Sequence, residues 1–407
     1  MLSPSIALLL SIAAILILLR IRVHPGFSIF IGSIIVSLLV LPLQTMPSLM
    51  FEALWNQQAP LLEQQTIRLL VVIASALTLS SLMEEKGLLT RLANTMEGIG
   101  SRLAIHLVPA IIGLVPMPAG ALVSATSVRG LVKRLRLAPE QSTFINYWFR
   151  HVWEFSLPVY PGIIITSVLL SVPLFSVVKI LCPVTVLIIA CGAVFSYGIL
   201  KKAPKIKRKP SQNIAYNFLR AAWPILLLVP SILLGLDAMI AFPLILLLLA
   251  GQQRVKWPEL KNALKYGLNP KILFLLYSIM LYKATIESSG TADVLIADMQ
   301  AMGLPALFML VALPLLMGLA TGFGMAFVGV ALPLLVPYIA SDAGINGYAL
   351  LLAYVSGMMG VLLSPLHLCL ILSAEYFEAS LAKVYRYILP PLLAIEAVAV
   401  LIYYIAA

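Results

Sequence analysis

Long apolar runs separated by short polar stretches set the pattern of this chain. The first, Ile6 to Leu19, is followed by Arg20, Arg22 and His24, then by a second run from Phe27 to Leu43. Basic residues stay on the cytoplasmic side of a membrane, so this loop is expected inside and the N-terminus outside. The first run lacks the basic flank and small-residue cleavage site of a signal peptide and reads as a retained span. Residues 44–66 carry Glu52 and Glu63 but no Lys or Arg, which suits an outer-face amphipathic segment. A third span, Ile67 to Leu82, leads back inside to Glu84, Glu85, Lys86, Arg91 and Arg102.

The next apolar stretch, Leu103 to Ala125, is broken by Gly113, Pro116, Pro118 and Gly120 and ends at Arg129, Lys133, Arg134 and Arg136. Both flanks are basic, so it is expected to enter from the cytoplasm and return there. Arms of about 12 residues reach roughly 18 Å, short of a hydrocarbon core of about 30 Å. A re-entrant hairpin follows, whose irregular tip must be lined by protein or water. Residues 142–170 form a further apolar stretch interrupted at Ser156-Leu157-Pro158-Val159-Tyr160-Pro161-Gly162. A proline there removes an N–H and breaks the helix. Leu174 to Leu200 then spans back to the basic stretch 201–210, the strongest inside marker in the chain. Segments 218–235 and 238–250 go out and back around Asp237, and 252–270 is expected as an inside loop.

Composition narrows the class. The chain has 407 residues, 61% hydrophobic and 11% charged, against about 25% charged in a soluble domain. That is apolar length for roughly 12 spans of about 20 residues. A soluble fold of this make-up would expose large apolar patches, which excludes a soluble enzyme, a nucleic-acid binder and a disordered scaffold. The net charge of +11 reads as cytoplasmic loops, with no nucleic-acid partner. Cys182, Cys191 and Cys369 have no metal-ligand spacing and read as small buried hydrophobes. Trp148, Trp153, Trp223 and Trp257 are expected as interfacial anchors.

The second half repeats the first. A span at 273–287 precedes an acidic amphipathic stretch with Asp293 and Asp298. An apolar run then breaks at Gly318-Leu319-Ala320-Thr321-Gly322-Phe323-Gly324, offset by 205 from the break that begins at Gly113. A further helix breaks at Ser364-Pro365-Leu366-His367, offset by 207 from Leu157-Pro158-Val159-Tyr160. The second-half linkers carry Asp293, Asp298 and Asp342, where the first-half linkers are basic. The second hairpin is therefore expected to enter from outside. The expected fold class is an all-α polytopic membrane protein of inverted-topology repeats, each with a re-entrant hairpin and a broken transmembrane helix, the pattern of secondary transporters. Its parts are an N-terminal scaffold (1–66) and a first repeat (67–200, hairpin 103–128, broken helix 142–170). A linking region (201–270) and a second repeat (271–407, hairpin 304–340, broken helix 347–373) follow.

This layout resembles the ion transporter superfamily of gluconate, dicarboxylate, citrate, arsenite and sodium/proton carriers. The resemblance rests on the hairpins Gly113 to Ser124 and Gly318 to Pro333 and on the breaks at Pro158 and Pro365. Within it the chain looks most like an uncharacterised branch of unknown function, with a Pro-Met-Pro-Ala-Gly-Ala tip and an Arg-His-x-x-Glu helix. The resemblance implies a homodimer, an elevator motion, and substrate held between two hairpin tips and two unwound helices. Sodium-coupled dicarboxylate members show Ser-Asn-Thr at both tips. Here Pro116-Met117-Pro118 and Thr321-Gly322-Phe323 stand instead, a departure that counts against sodium coupling and dicarboxylate specificity.

The candidate substrate-binding residues are Pro116, Pro118, Gly120, Ser124, Ser156, Tyr160, Thr321, Gly322, Gly324, Ser364 and His367. Half-helix N-termini offer free N–H groups to an anion, and glycine lets backbone approach a ligand; tight helix packing is the structural alternative. The hydroxyls serve equally as caps for freed backbone groups. Glu154 and His367 are candidate ion-coupling residues, because intramembrane ionisable groups mark ion pathways. Arg150 and His151 are candidate anion partners. Arg150 and Glu154, at i,i+4, serve as well as a structural pair, and Arg150 as a snorkelling residue. Lys283 either snorkels or pairs with Glu287. No metal site and no cofactor beyond a coupling H+ or Na+ is expected.

The expected function is secondary active transport of a small organic anion across a bacterial or archaeal cytoplasmic membrane, driven by H+ or Na+, with both termini outside. No Gly-x-x-x-x-Gly-Lys-Ser/Thr motif is present to use ATP. The alternatives are a carrier or flippase for an amphipathic or lipid-linked substrate, a channel, and an intramembrane enzyme. His-Glu-x-x-His is absent, and no membrane Gly-x-Gly-Asp occurs; an enzyme is not expected.

Overall fold

The computed structural model describes residues 3–406 except 58–59, 61–62, 97–99, 118–119, 205–212 and 342–343. Proline and short polar caps start most helices, as expected where the first N–H groups lack intrahelical partners. Helix α1 (Pro4–Arg20) and α2 (Pro25–Val40) both open on proline, and the His24 ring accepts from the Gly26 N–H ahead of α2. The acidic segment expected on the outer face contains the short α3 (Met46–Glu52), and α4 (Gln65–Glu85) is the first long apolar helix. A small helix, α5 (Leu88–Met96), precedes the pair α6 (Ser101–Ile112) and α7 (Gly120–Leu135). Helix α8 (Pro139–Arg150) then unwinds, and α9 (Pro161–Leu169) resumes before the long α10 (Leu174–Lys201).

The same order of elements then recurs. Helices α11 (Ile214–Leu233) and α12 (Ala238–Gln252) turn at Asp237, whose carboxylate accepts from the Met239 N–H at 2.8 Å. The segment expected as a plain cytoplasmic loop contains a helix, α13 (Trp257–Gly267), because Pro258 and Glu259 supply its first turn. Asn269 caps α14 (Pro270–Ser289), and α15 (Thr291–Ala301) leads to the pair α16 (Ala306–Thr321) and α17 (Gly324–Ile339). A two-residue antiparallel ladder (Ala340–Ser341 with Gly344–Ile345) joins α17 to α18 (Gly347–Leu363). Helices α19 (Leu368–Tyr376) and α20 (Leu381–Ala406) complete the chain.

Contacts between elements come in reciprocal pairs. Helix α7 packs on α19, and α17 on α9; α8 packs on α20, and α18 on α10. Likewise α2 packs on α14 and α12 on α4, while α1 meets α15 and α11 meets α5. Close crossings hold the bundle together. A Cβ on Gly318 would strike the Gly357 carbonyl oxygen, one on Gly360 the Leu315 carbonyl oxygen, and one on Gly113 the Arg150 carbonyl oxygen. Such approach without side chains is how helices associate where apolar burial gives no drive.

Among the described residues, six helical stretches are long and apolar enough to cross a bilayer: α4, α10, α11, 257–289, 347–376 and α20. Large apolar side chains face outward on them, Val194 and Tyr404 among the most exposed. This is a helical, multi-pass membrane protein. Polar pairs join loops that the charge pattern assigns to one side. Lys86 meets Glu259 at 2.6 Å, and the Arg102 guanidinium donates to the Ala203 carbonyl. On the other face, Arg68 meets Asp237 at 2.6 Å and Ser5 donates to Asp298. Lys283 donates to Gln65 at 2.9 Å and also meets Glu287 at 3.7 Å.

Two expectations are corrected. Trp148 and Trp153 are not interfacial anchors: their indoles donate to the carbonyls of Ile188 and Ala110, inside the bundle. The cysteines are not buried either. Cys182 is exposed, Cys191 and Cys369 partly so. An apolar exterior costs nothing against lipid, so small apolar residues need not lie inside.

Candidate functional site

The helix that carries Arg-His-x-x-Glu ends sooner than its proline predicts. Helix α8 stops at Arg150, and Val152–Phe155 form a single 3₁₀ turn. The unwound stretch therefore begins at His151 rather than at Ser156. This brings Arg150 to the edge of the break. In the second half α18 runs to Leu363 and only 364–367 are unwound.

Both breaks and both helix-pair turns border one cavity of about 320 Å³. Pro116 and Met117 come from the α6–α7 turn, and Gly322, Phe323 and Gly324 from the α16–α17 turn. Arg150, Glu154, Tyr160 and His367 come from the breaks. Tyr266, Ile272, Leu77, Tyr354 and Met358 close the walls. Of these groups, Arg150 is the cation and Glu154 the carboxylate.

Arg150 is 3% exposed and its Nη1 lies 3.1 Å from Glu154 Oε1. Its Nη2 donates to the Met117 carbonyl at 3.5 Å, while its Nε has no hydrogen-bond partner among the described residues. Gly120 leaves room beside it: a Cβ there would lie 2.7 Å from the guanidinium, which would have to shift. The Tyr354 hydroxyl donates to the Glu154 main-chain carbonyl at 3.0 Å. The Tyr160 hydroxyl donates to the Gly113 carbonyl, one of the groups freed where α6 ends.

The two imidazoles meet across the halves. His151 Nδ1 lies 2.6 Å from the Tyr147 carbonyl, so this nitrogen carries the proton and donates. The Nε2 of His151 is then a lone-pair acceptor, and it lies 3.1 Å from His367 Nε2. The backbone around His367 is fixed by Ser364, which accepts from the Leu366 N–H at 3.2 Å and donates to the Leu319 carbonyl at 2.7 Å. Gly322 sits against this turn with φ +61°. Gly324 opens α17 at the cavity wall, and Leu368 and Cys369 open α19 there. The first N–H groups and the positive dipole ends of both helices thus lie at the cavity.

Of the remaining sequence candidates, Ser124 donates to Asn146 at 2.7 Å and Ser156 pairs with Thr185 at 2.6 Å, both away from the cavity. Thr321 caps its own helix through the Met317 carbonyl. Pro118 lies outside the described residues. Sequence reasoning missed Tyr266, Tyr354 and Cys369 as wall residues: Tyr266 lies in the segment read as a loop, and Tyr354 and Cys369 lie in the arms of the second broken helix with no local mark. It also missed Asn146, whose amide donates to the Ala121 carbonyl and to Ser373 and so ties α7, α8 and α19 together. A polar amide amid eleven neighbours of an amphipathic helix was the available signal.

A family described as a protein of unknown function (DUF401) matches residues 2–406, and the chain belongs to that family. No curated protein matches the chain.

Proposed function

We propose that this DUF401 protein is a secondary active transporter that carries a small organic anion through the cavity between its two helix-pair turns. The observation that carries the reading is the convergence on one cavity of two turns and two breaks from corresponding places in the halves. The two halves are read as inverted-topology repeats, and α6–α7 and α16–α17 as re-entrant hairpins. Reciprocal packing supports this, since a two-fold axis generates each contact twice. The helices before the first hairpin also correspond (α1 to α11, α2 to α12, α3 to α13), so on this reading each repeat spans ten helices. Arg150 and the N–H groups at the starts of α17 and α19 supply the anion-binding chemistry. Glu154, paired with Arg150, is read as the group that exchanges a coupling proton. The elevator motion and the homodimer rest on the resemblance to the ion transporter superfamily.

The test is a thermal-shift screen of the purified protein against organic anions, at two pH values, with and without sodium, followed by uptake into proteoliposomes. A ligand of the native state raises the midpoint. An anion that stabilises the protein and accumulates against its gradient supports the proposal; sodium-dependent stabilisation would replace the proton as coupling ion. Passive, gradient-independent flux of many ions would identify a channel instead.

A further inference from the structure

Building on the transporter reading, we infer that the substrate is a single-headed anion with an apolar body, and that it takes Arg150 by displacing Glu154, which leaves with one proton bound. The charge inventory of the cavity carries this. Arg150 is its one cation and Glu154 its one carboxylate among the described wall residues, and they already neutralise each other at 3.1 Å. Unpaired charge is costly to hold away from water. A dianion would leave the occupied cavity with a surplus negative charge whether or not Glu154 were protonated. A monoanion leaves it neutral once Glu154 is protonated, as the empty cavity is neutral with Glu154 ionised. The empty state holds Arg150 cation and Glu154 carboxylate. The loaded state holds Arg150 cation, substrate carboxylate and Glu154 carboxylic acid. The exchange takes up one anion and one proton, breaks one ion pair and forms another, and needs no further co-reactant.

The guanidinium is built for a second partner. Its Nε is buried without an acceptor among the described residues, and its fork allows a bidentate carboxylate once Glu154 withdraws. The other groups around Glu154 do not compete for this role. His151 lies 3.8 Å from it, but its Nδ1 proton is committed to the Tyr147 carbonyl. Tyr160 and Tyr354 donate to main-chain carbonyls, while Tyr266, His367 and Cys369 face the cavity as neutral groups. The rest of the wall is largely apolar, with Leu77, Met117, Ile272, Phe323, Met325 and Met358 among its residues. A hydroxylated sugar acid would set part of its hydroxyls against these apolar side chains. At about 320 Å³ the cavity is at the small end of ligand sites, so an aromatic or branched-chain monocarboxylate fits where a lipid-linked substrate does not.

The experiment uses the full-length protein in detergent and in proteoliposomes. Benzoate, phenylacetate and 4-methylpentanoate are compared with succinate, citrate and gluconate. Binding is followed by calorimetry in buffers of different ionisation enthalpy, which counts protons taken up. The expected result is binding of the monocarboxylates with one proton taken up per anion. Affinity falls by about tenfold per pH unit where Glu154 is ionised in the empty protein. Uptake is driven by a pH gradient and is indifferent to membrane potential. Glu154→Gln should bind the same acids with no proton uptake and a flat pH profile. The wild-type proton count stands as evidence even where that variant is poorly folded. Preference for succinate or citrate, or monocarboxylate binding without proton uptake, would overturn this inference while leaving an anion transporter. Neither binding nor uptake of any of the six would overturn the inference and count against the transporter reading as well.

Discussion

In the unit built from α6, α7 and α8, the helix crossing closes on Arg150; in the unit built from α16, α17 and α18, it closes on Gly357. The offset of 207 that carries Pro158 onto Pro365 also carries Arg150 onto Gly357, His151 onto Met358, Glu154 onto Val361 and Tyr160 onto His367. The backbone plan is shared. In each unit a glycine on the first arm, Gly113 or Gly318, lies against a main-chain carbonyl of the broken helix. The chemistry is divided. The first unit brings the ion pair, and its post-break helix α9 starts with Pro161, which has no N–H to offer. The second brings no charge to the cavity but presents the helix starts at Gly324 and Leu368. On the repeat reading proposed above, matching backbone makes the cavity, while the side chains give one half the charge and the other the dipoles.

Breaking the charged half has the largest expected effect. Arg150→Gln strands the Glu154 carboxylate in a site where both side chains are mostly buried, a loss of about 3–5 kcal/mol. The thermal midpoint should fall sharply and anion binding should vanish. The double variant Arg150→Gln/Glu154→Gln should regain most of the stability and none of the binding. Equal instability in both variants would mean that the pair is not the unit that matters.

The shared backbone is tested next. Gly113→Ala and Gly318→Ala each push a methyl group into a carbonyl oxygen, with an expected loss of about 1–3 kcal/mol apiece. Similar drops in midpoint would support equivalence of the two crossings. A drop at one site alone would break it. The smallest effects separate the two glycines of the second turn. Gly322→Ala meets the His367 N–H region at 2.8 Å and adopts a left-handed φ, a loss of about 1–2 kcal/mol. Gly324→Ala meets nothing nearer than Met358 Sδ at 4.0 Å. It should leave the midpoint within about 0.5 kcal/mol of wild type while weakening anion binding. A Gly324→Ala protein that binds normally would remove α17 from the site.

Much of the framework was legible because breaks are written in glycine and proline. The turns near Gly113 and Gly322 and the break at Pro365 fall where those residues stand. The position of Arg150 was not legible. Proline at 158 marks where a helix cannot run, but α8 stops at Arg150, eight residues earlier, which the proline does not show. The helix at 257–267 was hidden by its charges, which read as a loop although its proline and Glu259 form an ordinary helix start. Ser124 and Ser156 show the limit from the other side. A hydroxyl near a break carries no sign in sequence of whether it turns to a ligand, to Asn146 or to Thr185. Wall residues such as Tyr266 and Tyr354 are decided by tertiary packing of distant helices, which no local pattern records.

Alternating access to the cavity is the central claim, and Phe323, 39% exposed at the cavity rim, is the place to measure it. Cys182, Cys191 and Cys369 are first replaced, and uptake by that protein is verified. Phe323→Cys is then introduced, and membrane-impermeant maleimide is applied to each face of oriented vesicles in turn. Labelling from both faces, slowed from each by a bound anion, is the predicted result. Labelling from one face only, unchanged by any anion, would contradict a carrier that exposes this site alternately.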